Sequence, residues 1–143
     1  MEQGPALWSR EPPASRFTRP TTSMSPVQHP VTGPALIFDL AQELRIVHEQ
    51  LATTSRTART LVKNGALRAT LMGLAAGGEL ASHSADGPIT VHVLEGAIEF
   101  DAEERTWPLR AGSLFALDTG IVHDVRSPEG GTFLLTVSLA PAK

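Results

Sequence analysis

From Thr57 to Leu139 the chain is a succession of short apolar runs, each closed by Gly, Pro or Asp. The first two flank Asn64-Gly65 in "TLVKNGALRATLMGL". The others are Ile89–Leu94, Ala97–Phe100, Arg105–Leu109, Ser113–Leu117, Ile121–Arg126 and Thr132–Leu139. Runs of this length are strands, and an Asn-Gly pair between two of them marks a hairpin. In Thr132–Leu139 the alternation has period two: Phe133, Leu135, Val137 and Leu139 share one face, Thr136 and Ser138 the other. Eight or so short strands at this spacing specify a mainly β sandwich or closed barrel rather than a parallel sheet with crossover helices.

One stretch departs from this pattern. Leu40, Leu44, Val47 and Leu51 recur at helical spacing, so a helix is expected over 36–51, with Asp39 as a cap and Gln42 completing a capping box. Before it, residues 1–34 hold seven of the eleven prolines, at positions 5, 12, 13, 20, 26, 30 and 34, with Ser and Thr between them. Proline removes ladder donors, so this stretch reads as an irregular, disordered tail. Its aromatics are Trp8 and Phe17, and Met24 offers a second start beside Met1. The expected division is therefore a tail over 1–34 and a folded domain over 35–143, with helix 36–51 and barrel 57–139.

Composition excludes several classes of function. Cysteine is absent, which removes disulfides, thiolate metal sites and cysteine nucleophiles. The net charge is -3 and no basic block appears, so nucleic acid is not an expected partner. No apolar run has the ~18–20 residues a membrane-spanning helix needs. Arg10, Arg16 and Arg19 near the N-terminus stand without an apolar segment, so no secretory signal is read and a cytoplasmic location is expected. No G-x-S-x-G elbow is present, and "GGELAS" lacks the lysine of a phosphate loop.

Two glycine-framed stretches carry the functional signal. In "GGELASHSADGPITVHVLEG", Gly77, His83 and Gly96 fall at the spacing Gly, five residues, His. In "GSLFALDTGIVHDV", Gly112, Gly120 and His123 repeat such a frame, fifteen residues further on. In this pair of motifs the chain resembles the cupin superfamily. It departs from the first motif at Ala85, where a second His stands in the family, and at Ile89, where a Glu stands. In the second motif Asp118 replaces a Pro and Ser127 an Asn. The resemblance covers about residues 57–139 and implies a double-stranded β-helix, or jelly-roll, barrel. It also implies that His83 and His123 converge at the barrel mouth, and that the chain is a homodimer.

What the resemblance implies about metal is divided. Metal-binding cupins hold one divalent ion with three His and one Glu; here two of those ligands remain. Catalytic metal sites usually have three protein ligands, so at most one weakly bound divalent transition metal is expected, on His83 and His123. His92 is a candidate extra ligand, but strand alternation puts it opposite Ile89 and out of the barrel. Glu79, four residues before His83, is the other candidate. His48 reads as part of a solvated helix face, and His29 lies in the tail. The expected ligand pocket is lined by His83, His123, Ile89, Val91, Val93, Val125, Leu135 and Val137, an apolar wall with two polar groups. The expected function is binding or sensing of a small molecule at a degenerate metal site, without catalysis. The alternative is a metal-dependent enzyme of dioxygenase, isomerase or decarboxylase type using His83 and His123.

Overall fold

The structure is a computed structural model and describes residues 29–139. The expectation of a disordered tail over residues 1–28, Trp8 and Phe17 included, lies outside the described residues. Helix α1 spans Leu40–Leu51 and is followed by eight strands: β1 Arg56–Asn64, β2 Leu67–Leu74, β3 Gly78–His83, β4 Ile89–Ala102, β5 Arg105–Arg110, β6 Leu114–Leu117, β7 His123–Ser127 and β8 Gly131–Ser138. No helix among the described residues is long and apolar enough to cross a membrane.

The helix starts at Leu40, where its apolar stripe begins and later than the expected 36, because Asp39 caps it. The Asp39 carboxylate accepts from the backbone N–H of Ala41 and Gln42, so residues 36–38 stay outside the helix. The stripe does what its spacing predicts. Val47 is fully buried, and Leu40, Leu44 and Leu51 pack with Leu61, Leu71, Leu94 and Leu134 on the outer face of the sheet. Close approach here depends on Gly73. A Cβ at that position would stand 2.6 Å from Val47 Cγ1 and 3.0 Å from Leu51 Cδ1, so any side chain would lift the helix off β2.

The strands are antiparallel and follow the order β1-β2-β8-β4-β7-β3, with β5 and β6 also paired to β4. Strand β4 organises the molecule. Its first half lies between β8 and β6, and its second half lies between β7 and β5. It is one strand through Gly96, where the sequence suggested a tight turn between two. Gly96 does take positive φ, at 71°, but the chain bends there instead of reversing. A Cβ at Gly96 would run into Gly130 O, so both φ and space require glycine. The register also shifts between Val93 and Glu95. Ile89, Val91 and Val93 face inward before this bulge; Ile98, Phe100 and Ala102 do so after it. One extra residue thus keeps both halves of β4 facing the core.

That core is Leu74, Ile89, Val91, Val93, Ile98, Phe100, Val125 and Phe133, with Leu135, Val137, Trp107 and Phe115 packed against it. The Asn64-Gly65 signal is realised as a hairpin in which Asn64 pairs with Leu67 around Gly65 and Ala66. Residues 29–34, the end of the proline-rich stretch, are irregular but bound to β1. Lys63 N–H donates to Val31 O at 2.7 Å, Thr32 Oγ1 donates to Lys63 O, and the Asn64 side chain bonds both backbone groups of Gly33.

Candidate functional site

His83 and His123 are brought together by a defect in pairing. On β3, Leu80 lies opposite Val125 of β7, and His83 lies opposite His123. Three steps on β3 therefore match two on β7. In a regular strand Leu80 and His83, three apart, would point to opposite faces. The bulge turns His83 to the face of Leu80, where His123 and Val125 also lie. The two imidazole rings meet edge to face, with centroids 4.3 Å apart.

The hydrogen bonds of the two rings match. His83 Nδ1 lies 2.7 Å from Ala81 O and His123 Nδ1 lies 3.0 Å from Ile121 O. A carbonyl only accepts, so each Nδ1 carries the proton and each Nε2 of the neutral ring carries the lone pair. Neither Nε2 has a partner among the described residues. The rings differ in exposure: His83 is open to solvent, whereas His123 is 4% exposed. Burial, opposed by the bond to Ile121 O and reinforced by the neighbouring His83, lowers the His123 pKa below the ordinary imidazole value.

Aromatic side chains continue from this pair into the barrel, and the sequence reading missed them. Phe100 stacks on His123 at 5.3 Å and touches Phe115 at 5.1 Å; Trp107 meets Phe115 at 5.6 Å. Phe100 is placed there because β4 pairs it with Val125, next to the pairing of Ala102 with His123. The available signal was the aromatic content of runs 97–100, 105–109 and 113–117. The inward direction of Phe100 depends on the β4 bulge, which the sequence does not mark.

The remaining residues expected at the site divide in two. Ile89, Val91, Val93 and Val125 are buried and Leu135 and Val137 partly so, all in the apolar cluster that fills the barrel. His92 is exposed and pairs with Leu114 and Leu134, on the face away from Val91 and Val93. Glu79 is exposed and pairs with Arg126, one residue out of phase with the inward Leu80. Ala85 packs its methyl group against the core, its carbonyl accepting from Gly120 N–H. Among the described residues no three His, Asp or Glu side chains are grouped as they would be around one metal ion. Two imidazole nitrogens alone do not fit a resident metal.

Two other histidines have partners the sequence did not reveal. His48 Nε2 lies 2.6 Å from Glu95 Oε1, across the gap between helix and sheet, while remaining exposed. His29 lies 3.8 Å from the buried Glu43 carboxylate, which also pairs with Arg59. On the outer face of β4 and β7, Arg126 bridges Glu99 and Asp101.

The family description "Cupin domain" matches residues 70–138, the span that holds both histidines. Among solved structures, a conserved protein of unknown function from Streptococcus pyogenes is 29% identical, with a TM-score of 0.59; the alignment covers 63% of this chain and 79% of that one. An RmlC-like cupin from Shewanella frigidimarina is 24% identical, with a TM-score of 0.57 and coverage of 60% and 78%. KdgF from a Halomonas species is similar in fold at 17% identity, with a TM-score of 0.56 and coverage of 61% and 81%. No curated protein matches the chain. Strand order, paired motifs and family match agree, and residues 70–138 form a domain of the cupin superfamily.

Proposed function

We propose that this cupin binds or senses a small molecule at His83 and His123, without catalysis and without a resident metal. The observation that carries the reading is the Nε2 of His123. It belongs to a ring that is 4% exposed, and it has no hydrogen-bond partner among the described residues. Buried polar groups in folded proteins are nearly always paired, and leaving one unpaired costs about 1–3 kcal/mol. A bound molecule that donates to this nitrogen offsets that cost. His83, beside it and open to solvent, supplies the entrance.

The same geometry supports reading the metal site as degenerate. Ala85 and Ile89 stand at the motif positions of the family's other two ligands, and neither His92 nor Glu79 turns toward the pair. The test is metal analysis of protein purified without chelator, followed by Zn²⁺ titration of the wild type and of Ala85→His with Ile89→Glu. The wild type should carry substoichiometric metal, and the double variant should bind Zn²⁺ at least a hundredfold more tightly. Stoichiometric metal in the wild type, lost in His83→Ala or His123→Ala, would overturn this reading in favour of the metal-dependent enzyme.

A further inference from the structure

Resting on the binding site just proposed, we infer that its ligand is an uncharged, ring-bearing molecule that offers an O–H or N–H donor to the paired histidines. Three features of the site select this class, beginning with its lone pairs. With both Nδ1 atoms committed to backbone carbonyls, the two Nε2 atoms present acceptors, and an acceptor is satisfied only by a donor. Carbonyl or carboxylate oxygens brought to the same place would face lone pair against lone pair.

The neighbouring rings give the second feature. His83, His123, Phe100, Phe115 and Trp107 form one continuous row of rings, with successive centroids 4.3, 5.3, 5.1 and 5.6 Å apart. These separations lie in the range where aromatic groups attract one another beyond the burial of their area. A further ring joins such a row by stacking or by its edge.

The third feature is charge. Around His123 the inward side chains are Val125, Phe100, Ala102 and Leu80, and none is charged. The charged groups of these strands, Glu99, Asp101, Asp124 and Arg126, alternate with the inward set and lie on the other face. Arg105 stacks over Trp107 at 3.9 Å, at the far end of the row from His83. An anion beside His123 would thus be desolvated without a counter-ion, which is costly.

Phenol, toluene and benzoate separate the terms: all carry one benzene ring, and they differ in donor and charge. The assay is ¹⁵N detection of the imidazole nitrogens of the full chain at pH 7.5 during titration with each compound. Phenol should shift the Nε2 signals of both His83 and His123 in the millimolar range, with toluene and benzoate at least tenfold weaker. His123→Phe keeps the rings and removes the acceptor, and it should weaken phenol about tenfold. Toluene binding as well as phenol would overturn the donor requirement, and benzoate binding as well as phenol would overturn the charge requirement. Either result leaves the site itself standing. If none of the three compounds, nor Zn²⁺, moves either histidine, the binding site falls and the inference with it.

Discussion

Replacing His123 by Phe should leave the domain as stable or more stable at pH 7.5, and should remove an acid-sensitive step. The variant keeps a ring beside Phe100 and deletes an Nε2 that belongs to a buried ring and has no partner among the described residues, which costs the wild type about 1–3 kcal/mol. It also deletes the bond to Ile121 O, worth about 1 kcal/mol. The net expectation is about 0–2 kcal/mol of stabilisation. The acid step has a definite sign. The folded pKa of His123 lies below the unfolded value, so below about pH 6.5 the unfolded chain binds the proton that the folded chain refuses. Stability therefore falls with pH from about 6.5 down to the folded pKa, by at most about 1.4 kcal/mol per pH unit. Between pH 6.5 and 5.0 the wild type should lose stability through this group, and the variant none through it. The Asp101 pKa is lowered, chiefly by its hydrogen bond from Thr106, so its contribution is lost only in a more acidic window. Urea denaturation of both proteins at pH 7.5, 6.5 and 5.0 measures these terms. A variant more than about 1 kcal/mol less stable at pH 7.5, with an unchanged acid slope, would show His123 to be a structural residue and refute the reasoning.

Two further predictions concern the scaffold. Gly96→Ala should destabilise by about 2–4 kcal/mol, from positive φ and from contact with Gly130 O; a shift in urea midpoint equivalent to under 1 kcal/mol would mean that the bend in β4 relaxes freely. Deleting residues 2–28 should move the thermal midpoint by less than about 5 °C, roughly 1 kcal/mol, whereas extending the deletion through Pro34 should lower it further by removing the bonds to Lys63 and Asn64. A larger drop on the first deletion would show that Trp8 or Phe17 packs on the barrel.

The parts of this molecule that were legible in its sequence are those that obey a constant period. The helical stripe, the alternation of Phe133, Leu135 and Val137, and the hairpin at Asn64 all follow from fixed spacing, and all are present. The outward direction of His92 followed in the same way. What escaped depends on breaks in the period. The bulge between Val93 and Glu95 moves the inward set from odd to even positions and thereby puts Phe100 under His123. The bulge between Leu80 and His83 faces the two histidines toward each other. A bulge changes parity by one residue and leaves no compositional trace, so β3 and the continuity of β4 were invisible. The partners of His48 and His29 were equally so, since they join segments far apart in the chain.

The central position of β4 has a consequence for the speed of folding. Among the described strands only the β1–β2 and β4–β5 hairpins close over a few residues. The other ladders of β4 join Val93 to Phe133 and Phe100 to Val125, and β2 must wait for β8 to bring Leu134 to Leu71. Each long closure loses chain entropy before any contact repays it, which places a domain of this topology among millisecond-to-second folders. Because β8, β7, β6 and β5 all dock on β4, the rate-limiting ensemble must already hold that strand in place. Substitutions along Val91, Val93, Ile98 and Phe100 will then slow folding, while those under α1 will chiefly speed unfolding.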